Sequence, residues 1–100
     1  MTNEEAQDAL AELRTLIDDV DLRILALFNE RADVVTRIGD IKKTMTMPIY
    51  EPKREDAVFQ NVTRNNSGPL SEGAVRRLFE RIIDEMRTLQ RERMERDKAK

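Results

Sequence analysis

From position 10 onward apolar residues return in alternating steps of three and four: Leu10, Leu13, Ile17, Val20, Ile24, Leu27, Val34, Ile38 and Ile41. That spacing marks one face of a helix. Ala6, Leu16, Leu25, Phe28 and Val35 widen the stripe to the width of a globular core face. Thr2 with Glu5 three residues on offers a capping box, and Asn3 competes for the cap. No proline interrupts the stretch, and its first glycine is Gly39. The pattern predicts a single helix over about 4–43. At 1.5 Å per residue such a helix is about 60 Å long, whereas a compact chain of this length has a radius of gyration of about 13 Å. One chain cannot cover that stripe alone, so a homodimer is expected. A helix broken near Gly39 is the alternative.

Thr44 to Pro52 opposes helix, because Pro48 restricts Met47 and a second proline follows at Pro52. Pro52 is well placed to open a second helix, expected over 53–65, with Val58, Phe59 and Val62 on one face. Asn65-Asn66-Ser67-Gly68-Pro69 is a turn by composition. Ser71 then caps a third helix, expected over 71–96, whose stripe runs Val75, Leu78, Phe79, Ile82, Ile83, Met86 and Leu89. Beyond Gln90 nearly every residue is charged, which predicts a solvated, fraying end. The expected fold is all-α: three helices in one domain over 1–100, paired with a second copy.

Composition narrows the chemistry. Absence of cysteine and histidine removes disulfides, thiol nucleophiles, zinc clusters of the usual donors and an imidazole base. A net charge of −2 argues against a general nucleic-acid binder. No apolar run approaches the roughly 20 residues needed to cross a bilayer, and the opening Met-Thr-Asn-Glu-Glu does not resemble a signal peptide. A cytoplasmic protein is expected. No dinucleotide fingerprint or phosphate loop is present, so no cofactor and no metal are expected. The first 43 residues hold ten acids against six bases, and residues 76–100 hold nine bases against six acids. Opposite fields of this kind favour packing of the first and third helices, within or between chains.

Several polar residues occupy positions where the stripes call for apolar ones. Arg31 stands between Leu27 and Val34, where leucine or isoleucine would continue the pattern. A buried arginine needs matched charge and donors; a structural ion pair and an anion ligand both supply them, and an exposed position on the margin of the stripe needs neither. Lys42, eleven residues on, returns to nearly the same angular position, and two cations along one inner face favour an anion. Arg14 lies at the edge of the stripe. Glu51 and Glu55 sit at the start of the second helix, where acids also serve the helix dipole. Gln90 closes the stripe of Phe79, Ile83 and Met86, either as its boundary or as a ligand.

Taken in order, Leu13-Arg14-x-x-Ile17-Asp18-x-x-Asp21-x-x-Ile24-Leu25-x-Leu27-x-x-Glu30-Arg31 and Ile38-Gly39-x-Ile41-Lys42 resemble the all-helical chorismate mutase family. Pro48-Ile49-Tyr50-Glu51-Pro52-x-Arg54-Glu55 and Leu78-Phe79-x-x-Ile82-Ile83-x-x-Met86-x-x-x-Gln90 extend the resemblance over about positions 6–90. It implies an intertwined dimer with two sites, no cofactor, and conversion of chorismate to prephenate. It assigns Arg14 to the partner chain's site, and Arg31 and Lys42 to the two substrate carboxylates, with Lys42 also near the breaking ether oxygen. Glu55 would bind the ring hydroxyl with Arg54 in support, and Gln90 would donate to the ether oxygen. Glu51 stands where some relatives have aspartate, and Met86 where some have a serine near a carboxylate. Arg31, Lys42 and Gln90 are thus the expected catalytic groups, with chorismate as the small dianionic partner.

The residues suit such a reaction, because a [3,3] rearrangement moves no proton and needs no histidine. Arginines grip carboxylates in bidentate fashion and fix a conformer, and donors aimed at the ether oxygen act on developing charge. The same pocket chemistry would fit an isochorismate-pyruvate lyase. The pattern is also compatible with a regulatory or weakly active domain of a larger shikimate-pathway enzyme, fused or in complex, and with a non-catalytic helical adaptor.

Overall fold

A computed structural model describes residues 1–99. Its elements are three helices: α1 (Asn3–Thr44), α2 (Pro52–Arg64) and α3 (Glu72–Lys98). The chain divides into two compact units, Met1–Asp33 and the remainder from Val34.

The first unit is the leading part of α1. Thr2, rather than Asn3, caps it: Thr2 Oγ1 accepts from the Glu5 backbone N–H at 3.1 Å and donates to Glu5 Oε1 at 3.1 Å. The carboxylate therefore closes the box on the hydroxyl. Glu4 and Glu5 in the first turn complement the helix dipole. Within the unit the apolar stripe is open, with Leu13, Leu16 and Ile17 each more than half exposed. This is the surface left over when a core-width stripe has no second element to cover it.

The second unit begins with the last turns of α1, which continues through Gly39 without a break. Lys42 and Lys43 sit in its last turn, favourable beside the helix C-terminus. Thr46 ends it in the left-handed region at φ 55°. Met47 N–H donates to the Lys42 carbonyl at 2.8 Å and Thr46 N–H to the Lys43 carbonyl at 3.3 Å. This is the Schellman arrangement, with a β-branched residue where glycine is usual. Pro52 opens α2 as expected. The Asn65–Pro69 turn is held by its asparagines: Asn66 Nδ2 donates to the Leu70 carbonyl at 2.7 Å, and Asn66 Oδ1 accepts from Gly68 N–H at 3.2 Å. Ser71 Oγ accepts from Ala74 N–H at 3.0 Å and caps α3.

Phe59 of α2 and Val75 and Ile83 of α3 are the buried apolar residues of this unit. Arg76 lies over the Phe59 ring, 4.3 Å from its centroid, and seals that end. α3 runs to Lys98, two residues beyond the expected 96, and its end is tied to α1 by ion pairs where a solvated, fraying end was expected: Arg93 to Asp40 at 3.3 Å and Lys43 to Asp97 at 2.9 Å. Met94 is half-buried beneath them.

Candidate active site

Among the described residues, only two polar side chains are buried, Lys42 and Gln90. Both lie in the second unit. Lys42 is carried inward by the last turn of α1, and its Nζ reaches Glu51 Oε2 at 2.7 Å and the Ile49 carbonyl at 3.2 Å. Glu51 is the N-cap residue of α2, yet its side chain makes no capping hydrogen bond. The lysine holds the carboxylate instead. An ammonium has three donors, so two are engaged and one remains for a ligand.

Gln90 is seated by close approach to α1. Its Nε2 donates to the Val35 carbonyl at 3.4 Å. A Cβ at position 39 would stand 3.7 Å from the same nitrogen, so Gln90 lies directly over Gly39. One amide N–H is thus oriented by the backbone and the second is left to give. A crevice of about 20 Å³ beside it is bordered by Gly39, Ile49 and Met94. That is room for about one water-sized group.

One turn beyond Glu51, Glu55 faces α3. Its Oε2 lies 3.6 Å from Arg87 Nε, with the two side chains 21% and 31% exposed. Arg87 Nη2 donates to Asp84 Oδ1 at 2.6 Å, and the guanidinium lies over Tyr50, 5.4 Å from the ring centroid. The start of α2 therefore presents two acids to two cations from different helices, Lys42 of α1 and Arg87 of α3.

The other expected residues fall as follows. Met86 is half-buried on α3, and its side chain offers no hydrogen-bond donor. Arg54 is exposed on α2. Arg14 and Arg31 belong to the first unit, where Arg14 is exposed and Arg31 half-buried with interactions of its own. Within the second unit, Lys42 is joined to Glu51, while Glu55 is joined to a residue that sequence reasoning missed. Arg87 had a signal: it lies four residues after Ile83 and three before Gln90, on the inner face of α3. Sequence reading followed the apolar members of that stripe, Met86 and Leu89, and passed over the arginine between them.

No group of three or more acidic side chains among the described residues is placed to hold a metal ion. The arrangement supplies fixed N–H donors from Lys42 and Gln90 in a poorly hydrated setting, with carboxylates beside them. Such donors suit an oxygen that gains negative charge. No helix among the described residues is long and apolar enough to cross a membrane.

Residues 13–91 match the family model described as chorismate mutase type II. The bifunctional chorismate mutase/prephenate dehydratase of Aquifex aeolicus is 36% identical over 88 residues, covering 84% of this chain and 24% of that protein. The 4-amino-4-deoxychorismate mutase of Streptomyces pristinaespiralis is 31% identical over 81 residues, covering 80% of this chain and 63% of that protein. Among solved structures, form II of the Thermus thermophilus chorismate mutase superposes with a TM-score of 0.81 at 32% identity, covering 83% of this chain and 94% of that one. The chain spans about a quarter of the length of the Aquifex protein. By sequence and by fold, this chain belongs to the chorismate mutase type II family.

Proposed function

We propose that this protein converts chorismate to prephenate as a homodimer with two shared sites. What supports this function most is the identity of its two buried polar side chains. Lys42 and Gln90 stand alone among the described residues in being polar and buried, and family resemblance assigns both to the ether oxygen. In the reaction the ether C–O bond breaks as a new C–C bond forms, and negative charge builds on the departing oxygen. Lys42 and Gln90 donate their remaining N–H groups to that oxygen, strengthening as charge grows, which is where a donor accelerates a reaction. Arg31, with Arg14 from the partner chain, holds the two carboxylates and selects the compact conformer. Glu55, supported by Arg54, accepts from the ring hydroxyl. Glu51 holds the Lys42 ammonium in place through the 2.7 Å ion pair.

Two arginines on one helix, 17 residues apart, are about 25 Å from each other along its axis, too far to grip one small dianion. A second chain laid antiparallel resolves this and covers the open stripe of α1. The test is the loss of chorismate absorbance with chromatographic identification of product. Prephenate is expected; salicylate with pyruvate, or no turnover, would overturn the assignment.

A second reading rests on the 24% coverage of the Aquifex relative: the same site serving as one module of a longer shikimate-pathway polypeptide. The two readings share the chemistry and differ in the neighbouring domain.

A further inference from the structure

Arg87 is held near Glu55 without completing a hydrogen bond to it. Its Nη2 is fixed by Asp84 at 2.6 Å and its face by Tyr50. Its Nε stops 3.6 Å from Glu55 Oε2. That Nε is buried and has no hydrogen-bond acceptor among the described residues. The neighbouring Lys42–Glu51 pair, by contrast, closes to 2.7 Å. A donor without a partner in such a place costs free energy, so a ligand group that completes it is favoured.

Arg87 Nε and Glu55 Oε2 are in contact at 3.6 Å, so a ligand group enters only as the two part, and few groups then satisfy both sides. A carboxylate is repelled by Glu55. A protonated amine suits Glu55 but has no lone pair for Arg87 Nε–H and meets a like charge. A hydroxyl does both, giving its proton to the carboxylate and accepting the N–H into a lone pair. We propose that Arg87 is a specificity-determining residue that, with Glu55, reads the substrate's ring hydroxyl and excludes an amine at the same position. The inference rests on the proposed chorismate mutase function. It gives the family's scaffold a physical basis for separating two substrates, since one relative is named for the 4-amino compound. A site that hydrogen-bonds a hydroxyl on both sides discriminates strongly, because the wrong group leaves buried partners unmatched.

The experiment compares the full chain with Arg87→Met and Arg87→Gln, both neutral at the position. Thermal melting is recorded, and kcat/KM is measured on chorismate and on 4-amino-4-deoxychorismate. The wild-type protein is expected to favour chorismate. In either folded variant the ratio of the two kcat/KM values should fall at least about tenfold, with chorismate losing and the amine gaining relative to it. A merely structural role would lower both substrates together. A ratio within about twofold of wild type, with chorismate still converted, overturns the role of Arg87 and leaves the proposed function standing. Unfolding of both variants assigns Arg87 to the fold and overturns it as well. A folded wild-type protein that converts no chorismate overturns the proposed function and this inference with it.

Discussion

Replacing Lys42 by methionine separates catalysis from folding. Lys42 is 9% exposed, and its ammonium sits 2.7 Å from Glu51 Oε2, with a second bond to the Ile49 carbonyl. At that distance and an effective dielectric of about 20, the gross attraction is about 6 kcal/mol. Little of it survives as net stability. Glu51 is nearly half exposed, so water replaces the lysine readily, and a pair with one wet partner contributes about 1 kcal/mol or less. Methionine keeps the stem's packing and removes the burial cost of a charge. Stability of Lys42→Met should therefore lie within about 1 kcal/mol of wild type. Activity should behave otherwise. Loss of a donor to the charged oxygen of the transition state costs about 3–4 kcal/mol, a fall of roughly 10²–10³ in kcat/KM. Urea denaturation beside the chorismate assay reads both quantities. The reciprocal change, Glu51→Gln, should cost more stability than Lys42→Met, because it leaves a buried ammonium without its countercharge. If Lys42→Met lost more than about 3 kcal/mol of stability while each folded molecule kept full activity, Lys42 would be a structural residue and the site assignment would fail.

Three further outcomes are expected. Gln90→Glu should shift the activity optimum toward acid, since a carboxyl there donates only when protonated; a pH–kcat/KM profile unchanged from wild type would count against the donor role of Gln90. Thr46→Gly should raise stability by about 0.5–1 kcal/mol, because a β-branched residue is strained at φ 55°, and an unchanged or lower melting temperature would contradict that account. Mixing Arg14→Ala with Arg31→Ala chains should restore about half of the wild-type dimer's activity per heterodimer. Both defects then share one site and the other is intact; a stable heterodimer that stays inactive would reject the shared site.

Much of this molecule is written in local pattern. Helix propensity, stripe spacing and caps act over a few residues, so the three helices could be placed from Thr2, Pro52 and Ser71 together with the 3–4 periodicity. The inward lysine and glutamine were legible for the same reason, as polar residues falling on apolar faces. What periodicity cannot carry is which charges meet across helices. That Glu51 gives up its capping bond to hold Lys42, and that Arg87 comes to rest against Glu55 and Tyr50 instead of water, depends on how α1, α2 and α3 approach in the second unit. The same holds for the end of α3, where charged residues that look solvated in sequence are paired with Asp40 and Lys43. Sequence alone determined the helices, the family and most of the candidate ligands, because those are set by near neighbours and residue type. Only the tertiary structure decided the pairing of the buried charges, because electrostatic partners are chosen by distance in space, and residues 54 apart in the chain, Lys43 and Asp97, end up 2.9 Å apart.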